Sequence, residues 1–215
     1  MDKRIVYGLV AAAVVVLGVL GYLTFGGSPA LDSPGGGVTT ELRPDDRIHG
    51  SPDAPITIIE YASMTCTHCA RFHKDVMPKL TENYIDTGKV KLVVREFPLD
   101  AWAAAGSVLA TCVPEDNYFA FIDLLFVNQA KWAFGGNPKE GLVEMGRFAG
   151  LNREQVEACL KKEDEFKRIQ GVASEAQSRY GVEGTPTFII GGEIYRAELT
   201  YERLEEILKP LLAKN

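Results

Sequence analysis

The sequence predicts an α/β fold in which a block of helices interrupts a mixed β-sheet. Two strand-like segments, 56–61 and 90–97, flank a helix that begins near Cys66. A helix between two strands indicates a parallel pair joined by a crossover. A helical pattern then extends from about 100 to 180, and residues 187–195 follow as a predicted β-hairpin.

β-branched and aromatic residues indicate the two strands in the first half of this pattern. Segment 56–61 reads ITIIEY and segment 90–97 reads VKLVVREF, compositions typical of buried strands. The helix between them is expected to run from near Cys66 to about Asp86. Pro78 lies inside this helix and should kink it, because proline removes one backbone donor.

Capping residues mark the helices of the second half. Asp100 is placed to cap the first helix of the helical block. Asn152 and Gln155 form a predicted capping box for a later helix. Thr200 is placed to cap the final helix, which should end near Leu212.

An apolar segment precedes the folded domain. Residues 5–25 contain no charged side chain and are long enough to cross a membrane, which takes about 20 residues. The basic residues in 1–4 favour a cytoplasmic N-terminus and a transmembrane anchor. A cleaved signal peptide is the alternative, and both interpretations export the rest of the chain. Residues 26–46, rich in Gly, Pro, Ser and Thr, predict a flexible tether, and 47–215 the folded domain.

Charge and cysteine content limit the possible functions. The net charge is −6, and no basic stripe is present, so nucleic acid is not expected as a partner. An even number of cysteines in an exported chain suggests pairing. The four are Cys66, Cys69, Cys112 and Cys159.

Cys66-Thr67-His68-Cys69 is the motif that carries chemistry. Its two cysteines lie three residues apart at a predicted helix start, so their sulfurs can form a disulfide. The free N–H groups at that helix start favour the thiolate of Cys66 and lower its pKa, and His68 can add positive charge or a donor. A stabilised thiolate makes the disulfide a stronger oxidant. The expected redox group is this cysteine pair, with no cofactor.

Two other interpretations of the motif are open. Half of a zinc site would need two further ligands, and neither His49 nor His73 has metal-like spacing, so no metal is expected. A purely structural disulfide is the second alternative. It is disfavoured because such short loops at helix starts are exposed and easily reduced.

Several stretches resemble the DsbA-like disulfide oxidoreductases. They are ITIIEYASMTCTHC at 56–69, GSPDAP at 50–55, GTPTF at 184–188, and Asn128-Gln129 followed by Trp132. The resemblance covers most of the chain from about Arg47 onward. It implies a thioredoxin-like fold with an inserted helical subdomain, preceded here by the N-terminal transmembrane helix.

The resemblance also implies roles for individual residues. Pro186 would be a cis-proline facing the sulfurs and Thr185 would present its backbone to an extended peptide, so these two residues and Thr67 are the expected substrate-binding residues. Glu60 would lie beneath the motif and accept the proton of Cys69 as a general base. The alternative for Glu60 is a strand-end carboxylate that reaches solvent.

Some neighbouring residues have weaker predictions. Arg95, on the adjacent strand, is a possible partner for Glu60, although arginine does not release a proton. His73 is expected on a solvated helix face. Phe72 and Met64 are expected in the core or at its rim, with apolar surface for unfolded chains as the alternative.

Cys112 and Cys159 both fall in the helical block. A disulfide between them would pin the insertion by restricting the unfolded chain. Two buried free thiols are the alternative, since cysteine is often buried. Export favours the disulfide.

The predicted function is that of an extracytoplasmic oxidase in the bacterial cell envelope, anchored in the inner membrane. Its expected partners are reduced, unfolded exported proteins and a DsbB-like membrane protein that reoxidises the cysteine pair. The alternatives are an isomerase or reductase acting from the reduced state, a non-catalytic chaperone-like binding module and a metal-binding protein.

Overall fold

A mixed β-sheet forms the centre of the domain. The computed structural model describes Val38 and residues 41–214. Within these residues the sheet has four strands in the order β2-β1-β3-β4. The strands are β1 (Ile56–Ala62), β2 (Val90–Glu96), β3 (Thr187–Ile190) and β4 (Glu193–Tyr195). The predicted strands and hairpin are therefore present.

The strand register determines which side chains share a face. β1 and β2 are parallel, with Glu60 opposite Val94 and Tyr61 opposite Arg95. β3 is antiparallel to β1 and continues into β4 through a tight turn. Gly191 and Gly192 form that turn with positive φ angles of 59° and 86°, a conformation that favours glycine.

Helices cover both faces of the sheet. The α-helices are α1 (Thr67–Arg71), α2 (Met77–Leu80), α3 (Ala101–Ala110), α4 (Tyr118–Val127), α5 (Gln129–Trp132), α6 (Pro138–Phe148), α7 (Arg153–Cys159), α8 (Glu163–Tyr180) and α9 (Tyr201–Leu212). Helices α3 to α8 form the insertion between β2 and β3. The predicted caps are present at Asp100, at Thr200 and in the Asn152–Gln155 capping box.

The helix expected from Cys66 to Asp86 is not a regular α-helix. π-helical segments Phe72–Val76 and Thr81–Ile85 follow α1 and α2 respectively. Pro78 lies inside the continuous helical stretch that these segments form with α1 and α2, as predicted, and a π-helical segment lies on either side of α2. Because a π-helical turn contains an extra residue, α-helical spacing from Cys66 does not predict which way later side chains point.

The core has two parts, one on each face of the sheet. Ile58, Leu92 and Phe188 face the larger cluster, which the insertion helices complete. Ile59 and Tyr61 face the other cluster, which α8 closes. The alternation along β1 therefore buries both faces of the strand.

A disulfide joins Cys112 and Cys159 across the insertion. Cys112 follows α3, and Cys159 is the last residue of α7. The sequence separation is 47 residues, so the bond closes a long loop that contains α4, α5 and α6. The bond matches the pairing favoured by the sequence and excludes two free thiols.

The folded domain begins earlier than predicted. Residues 41–46 were expected in the tether, but Asp46 is bound by Arg95, and the carbonyl of Glu41 accepts from Arg95 at 2.8 Å. The N–H of Val38 also donates to the carbonyl of Gly192 at 2.8 Å. A buried arginine needs acceptors, and this segment supplies them.

The predicted transmembrane helix, residues 5–25, lies outside the described residues. Among the residues that are described, no helix combines the length and apolar character required to span a bilayer.

Candidate active site

The turn between β1 and α1 holds the two cysteines of the motif. Cys66 is the N-cap of α1, with extended backbone angles, and its sulfur accepts from the N–H of Cys69 at 3.5 Å. Both thiols are reduced in this structure. The predicted placement of Cys66 at a helix start is therefore correct.

The two thiols have opposite acidities. The hydrogen bond with the Cys69 thiol lowers the pKa of Cys66, burial opposes this effect, and hydrogen bonds from the Thr185 side chain and the N–H groups of Cys69 and His68 lower the pKa further, to about 5. For Cys69, burial raises the pKa far above its usual range, and the charge of Glu60 acts in the same direction. At neutral pH the reduced site thus holds one thiolate and one thiol.

The segment before β3 lies against Cys66. The Thr185–Pro186 peptide bond is cis, as the family resemblance implied. The sulfur of Cys66 lies 3.3 Å from the carbonyl oxygen of Thr185. The hydroxyl of Thr185 is buried in the same segment and acts to lower the pKa of Cys66.

The imidazole of His68 does not have the role that the sequence predicted for it. It was expected to add charge or a donor to the Cys66 sulfur, but its Nδ1 lies 2.9 Å from Oε2 of Glu198. Arg71 donates to both oxygens of the same carboxylate, at 2.8 Å and 3.0 Å. The contribution of His68 to the thiolate comes from its backbone N–H, while its side chain forms an exposed ionic cluster beside the cysteines.

Glu60 lies in the interior of the protein and does not reach solvent. Its side chain is 0% exposed, and its Oε2 lies 3.1 Å from Nε2 of His73. Nδ1 of the same imidazole lies 2.6 Å from Oδ1 of Asp123, on α4. The expectation that His73 occupies a solvated helix face is wrong, because it lies in the π-helical segment after α1 and is 1% exposed.

His73 is held between two carboxylates. Burial lowers its pKa, but the charge of Glu60 and hydrogen bonds to Asp123 and Glu60 outweigh burial and raise the pKa to about 9. The imidazole is therefore protonated at neutral pH and donates one hydrogen bond to each carboxylate.

Arg95 does not pair with Glu60. Its guanidinium donates to both oxygens of Asp46, at 3.0 Å and 2.7 Å, and to the hydroxyl of Tyr61 at 3.0 Å. The register explains the difference, because Arg95 is opposite Tyr61 and Glu60 is opposite Val94. Neighbouring residues of a strand point to opposite faces, so Arg95 and Glu60 are on different sides of the sheet.

Phe72 and Met64 are core residues. Both are almost fully buried, at 0% and 2% exposure, so they offer no open surface beside the sulfurs. Phe72 packs on Phe188 of β3, with ring centroids 4.7 Å apart. The exposed apolar side chains that flank this end of the sheet are instead Leu99 and Trp102.

Three residues contribute to the site although the sequence predicted no role for them. Asp123 and Glu198 contact His73 and His68, as described above. The side-chain amide of Gln129 binds the backbone of the turn that carries Cys66. Gln129 lies more than 60 residues from Cys66, and Asp123 and Glu198 lie on other elements. Of the three, only Gln129 was indicated by the sequence, as part of the family resemblance.

Within the described residues, no group of three or more His, Cys, Asp and Glu side chains is arranged to hold a metal ion. The arrangement of Cys66 and Cys69 is suited to exchange between a thiolate and a disulfide.

Comparisons with known proteins agree with this geometry. The family model described as thioredoxin matches residues 42–210. A putative protein-disulfide oxidoreductase of Rickettsia bellii is 31% identical over 156 residues, which cover 72% of this chain and 60% of that protein. This chain thus spans about three fifths of that relative's length. A probable disulfide bond formation protein D of Bacillus cereus is 28% identical over 152 residues, covering 67% of this chain and 69% of the relative.

A solved structure shows the same architecture. Wolbachia pipientis alpha-DsbA1 superposes with a TM-score of 0.76 and 28% identity, and covers 81% of this chain and 94% of that chain. The match includes the sheet and the inserted helices. With the family model covering most of the described domain, the chain belongs to the thioredoxin family, and it is similar to the DsbA-like disulfide oxidoreductases.

Proposed function

We propose that this protein is a disulfide oxidase that transfers the Cys66–Cys69 disulfide to reduced, unfolded exported proteins. The observation that carries the proposal is the position of the Cys66 sulfur at the N-cap of α1, where it accepts from the N–H of Cys69 at 3.5 Å and where its pKa is lowered to about 5. A thiolate held by fixed donors stabilises the reduced protein, and about 1.4 kcal/mol of such stabilisation makes a two-electron couple about 30 mV more oxidising. The names of the relatives from Rickettsia and Bacillus support the same class of reaction.

The reaction consists of two exchange steps. A substrate thiolate attacks the sulfur of Cys66, the Cys66–Cys69 bond breaks, and Cys69 leaves and takes up a proton. A second substrate thiolate then attacks the substrate sulfur of the mixed disulfide and expels Cys66 as a thiolate. The substrate loses two electrons and gains a disulfide, while the enzyme gains two electrons and holds Cys66 as thiolate and Cys69 as thiol. Of the two substrate protons, one ends on Cys69 and the other in solvent.

The substrate peptide is proposed to bind along the segment before β3. The carbonyl of Thr185 is 3.3 Å from the Cys66 sulfur, so a peptide that pairs with this backbone brings its own cysteine to the reacting atom. Pro186 fixes the direction of the segment, and Thr67 is exposed beside Cys66. We assign Thr67, Thr185 and Pro186 to substrate binding on these grounds.

Glu60 is proposed to act on Cys69. It is buried, and its charge acts with burial to raise the pKa of that thiol. A carboxylate in this position accepts the Cys69 proton when the enzyme is reoxidised and returns it when Cys69 leaves.

The proposed location is the bacterial cell envelope, with the domain on the extracytoplasmic side of the inner membrane. The support is the uncharged run 5–25 and the disulfide Cys112–Cys159, a bond typical of oxidising compartments. In this location a DsbB-like membrane protein is the proposed oxidant that regenerates the Cys66–Cys69 disulfide.

The test is oxidation of a reduced, unfolded disulfide protein by the oxidised chain, with free thiols counted before and after. We expect one substrate disulfide per molecule of enzyme and no reaction with Cys66→Ser or Cys69→Ser. Equilibration with glutathione should give a potential nearer about −120 mV, typical of strong oxidants, than about −270 mV, typical of thioredoxin. A thioredoxin-like potential together with an ordinary Cys66 thiol would rule out the oxidase assignment.

A further inference from the structure

A chain of three ionisable side chains leads from the interior to the surface. Glu60 on β1 contacts Nε2 of His73 at 3.1 Å, and Nδ1 of His73 contacts Asp123 on α4 at 2.6 Å. The side chains of Glu60 and His73 are 0% and 1% exposed, whereas that of Asp123 is 39% exposed. Burying a carboxylate and an imidazolium is costly, so their presence in the core requires an explanation.

Disulfide exchange at this site creates a proton-transfer problem. Cys69 is 0% exposed, and burial holds it in the thiol form. It must gain a proton each time it leaves the disulfide and lose one each time it re-forms the bond. Water does not reach the buried sulfur directly, so the proton needs a path.

We propose that Glu60, His73 and Asp123 form a proton relay that connects buried Cys69 to solvent. The proposal rests on the oxidase function proposed above and extends it to residues His73 and Asp123. Both contacts are short enough for direct transfer between nitrogen and oxygen. Asp123 acts through His73, and His73 acts through Glu60.

The exit of the relay is a groove between α4 and the helical segment that follows the cysteines. The groove is lined by His73, Asp123, Glu82, His49 and Val127, among others. The cysteines do not line it, so protons would leave without crossing the surface where substrate binds. Spatial separation lets the proton move while a peptide covers Cys66.

Two carboxylates contact His73, and a second imidazole interacts with it electrostatically. Glu60 faces it from β1 and Asp123 from α4, and both raise its pKa. Burial lowers the pKa of His49, which lies in the segment before β1, and the charge of His73 acts in the same direction. The aromatic ring of Phe126 stacks on the imidazole of His73, with the ring centroids 4.2 Å apart.

The proton balance follows for both directions. When Cys69 leaves as a thiolate, His73 gives a proton through Glu60 to the sulfur, and Asp123 returns one to His73 from solvent. When Cys69 attacks a mixed disulfide at Cys66, its proton moves to Glu60, His73 releases its Nδ1 proton to Asp123 and then to solvent, and the proton on Glu60 passes to His73. No electrons move along the relay, and each residue returns to its starting state.

With Ellman's reagent, attack by Cys66 and the later attack by Cys69 appear as two phases of one absorbance trace. One equivalent added to the reduced chain forms a mixed disulfide with Cys66 and releases a first thionitrobenzoate. Attack by Cys69 then releases the second, and this phase requires Cys69 to lose its proton. The variant is Asp123→Asn, with Glu82→Gln as the matched control because Glu82 lines the same groove.

We expect Asp123→Asn to leave the first phase unchanged and to slow the second phase about tenfold or more at neutral pH. Added imidazole should restore the second phase, because it replaces the carboxylate at the solvent end. His73→Gln should slow the same phase without rescue, since the gap that it leaves is buried. Glu82→Gln should match the wild type in both phases.

Two results would overturn the relay. The first is a second phase in Asp123→Asn that is as fast as in the wild type. The second is a slowed second phase that imidazole does not restore, because that result would indicate that Asp123 has only a structural role. A slow first phase in the wild type would instead contradict the proposed function, because it would show that Cys66 is not a thiolate. The two failures are therefore distinguishable.

Discussion

The side-chain amide of Gln129 donates a hydrogen bond to the carbonyl oxygen of Cys66 at 3.0 Å and a second one to that of Met64 at 2.9 Å. Gln129 is the first residue of α5 and is buried at 4% exposure. The inserted helices therefore hold the turn that carries the reactive cysteine, in addition to covering the sheet.

Replacing Gln129 with leucine should destabilise the domain. The change preserves the approximate size but removes both hydrogen bonds to buried carbonyl oxygens, at a cost of about 1–3 kcal/mol, while the Cys66 carbonyl oxygen keeps its bond from the N–H of Ala70 at 3.0 Å. We expect a loss of that order in the free energy of unfolding, measured with urea. Gln177→Leu, on the exposed face of α8, is the control and should change stability little. Equal stability of the two variants would contradict the assigned role.

Thr185→Val should raise the pKa of Cys66. The variant removes the hydroxyl that helps to stabilise the thiolate. A hydrogen bond to a charged acceptor contributes about 1.5–3 kcal/mol, so the thiolate fraction at acidic pH should fall about tenfold or more. Ultraviolet titration of the thiolate measures the change, and Thr185→Ser should retain the wild-type value. The role of the hydroxyl is refuted if valine and serine titrate alike.

The reduced protein should become more stable, relative to the oxidised protein, as the pH rises from about 5 towards 9. The pKa of Cys66 is lowered from 9.0 to about 5 in the folded state. A lowered pKa gives stability that is complete above the unfolded value and is lost as the pH falls through the folded value. Urea unfolding of both redox forms across this range tests the trend, which should be absent in Cys66→Ser.

The oxidised protein should show the opposite trend because of His73. Its pKa is raised from 6.5 to about 9. A raised pKa gives stability that is complete below the unfolded value and is lost as the pH rises through the folded value. The free energy of unfolding should therefore fall between about pH 6.5 and 9. His73→Gln should flatten this slope, and an unchanged slope would mean that another group causes it.

Removal of the second disulfide should lower stability without changing the redox site. In the double variant Cys112→Ala/Cys159→Ala, the free energy of unfolding should fall by about 2–4 kcal/mol, a typical value for such a loop. The pKa of Cys66 should remain near 5. A large change in that pKa would show that the disulfide also controls the geometry of the cysteine pair.

Local patterns predicted the strands, the hairpin and most helix caps because each depends on neighbouring residues. The pairing of Arg95 was mispredicted because it depends on strand register, which places Tyr61 and not Glu60 beside it. The inclusion of residues 41–46 in the domain depends on the same arginine, whose partners precede β1. Neither relationship has a periodic signal in the sequence.

The candidate site shows the same difference between features set by neighbouring residues and features set by distant ones. Cys66, Cys69 and the cis peptide before Pro186 were predicted from short motifs. The environment of His73 was not, because its orientation follows from a π-helical segment and its second partner, Asp123, comes from a helix 50 residues further along the chain. Sequence motifs identify reacting atoms better than the distant groups that tune them.

The bond between Cys112 and Cys159 makes a covalent ring of the intervening chain, which includes Gln129 and Asp123. A single proteolytic cut at an exposed loop within that ring would leave one covalently connected molecule instead of two fragments. The helices that support the redox site would stay tethered to it after such damage, for as long as the surroundings remain oxidising.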